Sequence, residues 1–158
     1  MSSSDRTARA WLWVACTVGL LHAAFSAYWA LGGERLLDTV GQWAVDLRRV
    51  QPVAAAWGLA GIALVKMVAA LVPVAVERGR LRPRRAWRGL CWAGGAGLAV
   101  YGGVNVVVSN AVLLTARPDS YDRAAMVGHA WLWDPLFLLW GAALLVFLWL
   151  SRPAEAES

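Results

Sequence analysis

Four long apolar runs, separated by short polar segments, constrain this chain more than any other feature in it. A bilayer core about 30 Å thick takes about 20 residues of helix to cross, and each run is long enough. The first extends from Ala10 to about Leu31 and stops at Gly32-Gly33; the second, entered through Pro52, extends from Val53 to about Val76. The third covers about Gly89 to Leu114 and stops before Arg117-Pro118, and the fourth ends at Leu150. The start of the fourth is open. Asp134-Pro135 is a strong helix-start signal, an N-cap followed by proline in the first turn, but the apolar pattern also reaches back to about Ala124. The expectation is one integral membrane domain over 1–158, all-α, a four-helix transmembrane bundle. Hydrophobic residues make up 59% of the chain and charged residues 16%, against roughly 45–50% and 25% in soluble proteins. That excludes a disordered chain, a disulfide scaffold and a water-soluble core.

A net charge of +5 is compatible with nucleic-acid binding, but its distribution argues for topology. Arg78, Arg80, Arg82, Arg84, Arg85 and Arg88 crowd between the second and third runs, with no aromatic interleaving. Arginine and lysine are retained on the cytoplasmic side and meet anionic headgroups there. With Arg6, Arg9 and Arg152 on the same side, against Arg35, Arg48, Arg49, Arg117 and Arg123 on the other, both termini are expected in the cytoplasm. The bilayer is the expected partner and nucleic acid is not. Arg6 and Arg9 before an apolar run, with Ala24-Phe25-Ser26-Ala27 after it, also resemble a cleavable signal. The run continues to Leu31, so retention as a span is expected.

The first outer connection has a pattern of its own. Leu36, Leu37, Val40, Trp43, Ala44 and Leu47 recur at helical spacing among Glu34, Asp38, Asp46 and Arg48, as in a short amphipathic helix lying in the interface. Of the eleven tryptophans, Trp11, Trp13, Trp87, Trp92 and Trp149 fall toward one headgroup level and Trp29, Trp43, Trp57, Trp131 and Trp133 toward the other. An aromatic belt is the first explanation of both sets, leaving Trp140 deeper.

Ionisable groups in hydrocarbon are costly and face the interior or a wet cavity, so each is a functional candidate. His22 lies in the first run, Lys66 in the second, and Asp134, with His129 upstream, in the fourth. Ser26, Tyr101 and Asn105 are neutral companions, and Trp29 shares the His22–Ser26 face. Counted inward from the outer ends, His22, Asn105, Tyr101 and Asp134 are expected to converge in one polar layer, if the fourth helix starts near Ala124. Lys66 is expected to reach toward headgroups or pair with Asp134. Each residue also has a plainer role: His22, Tyr101 and Asn105 as interhelical hydrogen-bonders, Asp134 as a cap, His129 as an interfacial group. Gly95, Ala99 and Gly103 form a small-residue ladder suited to close helix contact, and a homo- or hetero-oligomer through this third span is a further expectation.

No HExxH, GxSxG, P-loop or dinucleotide fingerprint occurs. Cys16 and Cys91 stand apart with no CxxC, and two distant histidines do not make a metal site, so neither metal nor cofactor is expected. Three function classes remain. The leading one is a non-enzymatic bundle that binds a lipophilic small molecule or serves a larger membrane complex. The second is an acid–base enzyme acting on a lipid or isoprenoid, with His22 as base or acid, Asp134 orienting it, and Asn105 and Tyr101 polarising the substrate. The third is a small transporter or proton relay using Lys66.

The segment from His22 to Gly33, with His22, Trp29, Gly32 and Gly33, resembles the opening of a family of small four-span bacterial, mainly actinobacterial, membrane proteins. The Trp133–Gly141 segment in the last run fits the same family. The resemblance implies the four-span fold and a bacterial cytoplasmic membrane. The family has no assigned chemistry, so no catalytic residue carries over. Arginine in place of lysine at all but one basic position also suits a high-GC bacterium.

Overall fold

The computed structural model describes residues 3–152, and among them all regular structure is helical. Its elements are α1 (Ser3–Ala30), α2 (Gln42–Val50), α3 (Pro52–Glu77), α4 (Arg84–Thr115), α5 (Arg123–Gly128), a π-helical turn (His129–Trp133) and α6 (Asp134–Leu150). Four helical segments are long and apolar enough to cross a membrane: Ser3–Ala30, Pro52–Glu77, Arg84–Thr115 and Arg123–Leu150. They suggest a multi-pass membrane protein.

α1 ends through a glycine stop. Gly32 takes φ 109°, and the amides of Gly32 and Gly33 donate to the Trp29 and Tyr28 carbonyls. This double return is a Schellman closure, which needs a left-handed residue. Arg48 completes it, donating from Nη1 to the carbonyls of Trp29 at 2.6 Å and Gly33 at 3.1 Å. A cation thus meets the negative end of the α1 dipole. The expected interfacial helix is shorter than its pattern. Residues 34–41 form turns, because Leu36 and Gly41 both take positive φ and interrupt the helix. Only Gln42–Val50 is helical, with Ala44 turned inward and Trp43, Leu47 and Val50 exposed.

The fourth span starts at Arg123, with Asp122 as its cap, and runs through Asp134 without a break. Pro135 has no N–H to return to the preceding turn, and its ring crowds the carbonyl four residues back. The wider π turn just before it accommodates this defect. Asp134 is therefore an interior residue, and its capping role is ruled out: it is 0% exposed.

The helices do not close symmetrically. α1 and α6 pack together at the centre, α3 lies against α1, and α4 against α6. α3 and α4 meet little, so a groove separates them. Two crossings rest on missing side chains. A Cβ on Gly19 would stand 2.6 Å from the Trp140 ring and 2.8 Å from Ala70 Cβ, and one on Gly102 would stand 2.5 Å from Leu138 N. Lipid is as apolar as leucine, so such backbone approach, rather than hydrophobic burial, holds membrane helices together. The small-residue ladder of the third span is thus used within the chain, against α6.

The apolar interior has two parts. One, at the end that carries both termini, includes Leu12, Cys16, Val74, Cys91, Trp140, Leu144 and Phe147. The other, beneath the connection before α3, is built on Trp29, Leu37, Ala44 and Trp133. The buried His22 lies between them, against Phe137 on one side and Trp133 on the other.

Candidate functional site

Antiparallel packing of α1 on α3 sets His22 and Ser26, one turn apart, opposite Lys66. A helical side chain leans toward its own N-terminus, which carries the Lys66 amine to the level of Ser26. Lys66 Nζ donates to His22 Nδ1 at 3.0 Å and to Ser26 Oγ at 3.0 Å. The Ser26 hydroxyl in turn donates to the His22 carbonyl at 3.5 Å, one turn back. Because Nδ1 accepts, His22 is neutral with its hydrogen on Nε2. That buried N–H has no hydrogen-bond partner.

The His22 ring is held between aromatic groups of the fourth span, 4.0 Å from the Phe137 centroid and 5.7 Å from that of Trp133. Phe137 touches several neighbours: Lys66 Nζ at 5.4 Å, the Tyr101 ring edge-on at 5.5 Å, and the Trp140 ring stacked at 6.4 Å. The quadrupole of an aromatic face attracts a cation placed over it. Phe137 carries no polar group that would mark it in the sequence. Its signal was the spacing of Trp133, Phe137 and Trp140, which puts three rings on one face of the last span.

Asp134 belongs to a different node. Its Oδ2 lies 2.8 Å from His129 Nδ1, and His129 Nε2 donates to the Val40 carbonyl at 3.3 Å. The second carboxylate oxygen, Oδ1, is buried without a partner. This pair ties the fourth span to the turns before α2. Trp133 ties the same segment, donating from Nε1 to Thr39 Oγ1 at 3.0 Å.

Several expectations are corrected by this geometry. His22 is bonded to Lys66 rather than to Asp134, and Lys66 neither reaches headgroups nor pairs with Asp134. His129 is a partner of Asp134 rather than a free interfacial residue. Tyr101 is exposed on α4 and Asn105 half-buried one turn further, so the single polar layer divides into separate groups. Trp29 and Trp133, placed in the aromatic belt by sequence, are each 3% exposed. Trp29 Nε1 donates to the Arg35 carbonyl at 2.9 Å, and burial with a hydrogen-bond partner explains these two indoles better than anchoring does. Trp13, Trp43, Trp57, Trp131 and Trp149 remain exposed, as a belt requires.

The groove between α3 and α4 has a volume of about 500 Å³, within the roughly 300–1,000 Å³ of small-molecule sites. Val65, Val68 and Val72 line one wall, Leu90 and Leu98 the other, and Trp140 lies at its floor. One turn beyond Leu98 on α4 is Tyr101, and one turn beyond Trp140 on α6 is Phe137. Phe137 stacks on Trp140, so the Lys66 amine and the Tyr101 ring, both gathered on Phe137, lie beyond one end of the groove without lining it. Among the described residues no group of three or more His, Cys, Asp or Glu side chains forms a metal-binding cluster.

A family model described as protein of unknown function, DUF3995, matches residues 19–144, and the chain belongs to that family. No curated protein and no solved structure matches it.

Proposed function

We propose that this protein is a non-enzymatic membrane protein of the bacterial cytoplasmic membrane that holds a lipophilic molecule in the groove between α3 and α4. Both termini face the cytoplasm in this reading, with support from the arginines that flank the terminal end of the bundle. The observation that carries the binding role is an apolar groove of ligand-site volume between α3 and α4, with a half-buried amine beyond one end of it. Mass spectrometry of the intact protein extracted in detergent should find a bound lipophilic species. Replacing Leu98 with tryptophan fills the groove and should remove that species while the unfolding temperature holds. Retention by the filled variant would place the ligand elsewhere.

One observation favours a second reading, acid–base chemistry on a lipid or isoprenoid by His22. Its Nε2 is buried and unpartnered, as a group awaiting substrate would be. In that version Lys66, itself held by Ser26, orients the imidazole in place of Asp134. Conversion of a membrane-lipid extract by the reconstituted protein, lost in a folded His22→Ala variant, would replace the binding role with this one.

A further inference from the structure

We propose that the molecule in the groove is a single-chain amphiphile with one carboxylate head, which pairs with Lys66. This rests on the lipophilic-binding reading and adds the chemistry of the head. An ammonium has three N–H donors. His22 Nδ1 and Ser26 Oγ take two, and both acceptors are neutral. Among the described residues the third donor has no acceptor and the amine no counterion. Among the described residues the side-chain ion pairs are Arg84–Glu77 and His129–Asp134, so the one buried carboxylate near this level is already engaged.

A cation removed from water needs an opposite charge, because neutral hydrogen bonds offset only part of its lost hydration. The aromatic face of Phe137 contributes a further part. What remains is one positive charge and one free donor close to one end of an apolar groove, linked to its floor through the Phe137–Trp140 stack. A carboxylate supplies one negative charge and an acceptor.

The rest of the ligand is set by the walls. Leu64 and Pro73 mark the ends of the groove on α3, roughly 14 Å apart at the helical rise. The lining between them presents almost no polar surface, which suits an alkyl chain. Two-chain phospholipids fit poorly, since their phosphates stay at the interface while Lys66 lies more than halfway along α3. The head therefore sits inside the membrane and the chain lies along the helices toward the end that carries the termini.

The test compares a long-chain saturated fatty acid with its methyl ester on the full-length protein in detergent. The acid should bind about tenfold more tightly. Lys66→Arg should keep the preference, and Lys66→Met should abolish it while still binding the ester. The wild-type comparison stands even if a variant fails to fold. Equal binding of acid and ester, with both displaced by Leu98→Trp, would overturn the carboxylate and leave the groove reading intact. Binding of neither would overturn both.

Discussion

Lys66 and His22, 44 residues apart in the chain, meet at 3.0 Å between Nζ and Nδ1. The contact places the chain's one lysine against a neutral acceptor, inside an apolar bundle, without a carboxylate paired to it among the described residues. Such an arrangement is a poor way to stabilise a fold, because a buried cation loses more hydration than two neutral acceptors return. Its presence points to work done by the amine.

If so, the two partners differ in what their removal costs. Lys66→Met keeps the length of the side chain and removes the desolvated charge, so thermal unfolding in detergent should be unchanged or shifted upward, as in other replacements of buried charge by apolar groups. His22→Ala leaves a cavity beside Phe137 and strips the amine of an acceptor, and should cost about 2–3 kcal/mol. Greater loss in Lys66→Met than in His22→Ala would make Lys66 a structural residue.

Asp134 responds in the opposite sense. It is buried and paired with His129, so Asp134→Ala leaves an imidazole facing an empty site and should cost about 3–5 kcal/mol. Asp134→Asn keeps an acceptor oxygen and should cost about 1 kcal/mol. Because His129 also reaches the Val40 carbonyl, hydrogen exchange in residues 34–41 should quicken in the alanine variant first. Unaltered exchange there would uncouple the pair from the turns before α2.

The four spans were legible because hydrophobic length is a local property. Helix ends were less so: Ser3–Arg9 and Arg84–Arg88 are helical yet polar, and hydropathy marks the apolar run rather than the hydrogen-bonded helix. Residue faces were legible too, since His22 and Ser26 do share a side with Trp29. Which faces meet was not. Periodicity fixes direction around one helix and leaves open which helices adjoin, so His22 was expected beside Asp134 although α3 brings it Lys66 instead. Trp29 and Trp133 were misplaced for a similar reason. An indole near a span end looks the same in sequence whether its N–H meets a headgroup or a carbonyl such as that of Arg35.

Glycines of the third span separate into two classes with opposite outcomes. A Cβ on Gly102 would lie 2.5 Å from Leu138 N and 2.6 Å from the Asp134 carbonyl, both backbone atoms that cannot turn aside. Gly102→Ala should therefore cost about 3 kcal/mol. Gly97 has nothing within 4 Å of that position, and Gly97→Ala should be neutral or stabilising by up to about 1 kcal/mol from helix propensity. Thermal unfolding of the two variants side by side decides the matter. A large loss in Gly97→Ala would show that its open face is covered by another chain.

Asp122 offers a test outside the spans. Its Oδ1 accepts from Ala125 N at 3.1 Å, capping α5, and its Oδ2 accepts from Gln42 N at 2.9 Å, joining α5 to the start of α2. The bond from Ala125 above all, with lesser help from Gln42 and Ala124, holds this carboxyl below its ordinary value against the opposing effect of burial. A carboxyl depressed in the folded state contributes stability in full above its unfolded pKa, and that stability is lost as pH falls through the folded one. At neutral pH Asp122→Ala should cost about 1 kcal/mol, the usual value of an N-cap. The gap between wild type and variant should hold down to about pH 4 and close below it. Unfolding midpoints across that range measure the gap directly, and a difference that persists in strong acid would mean that Asp122 acts through something other than its charge.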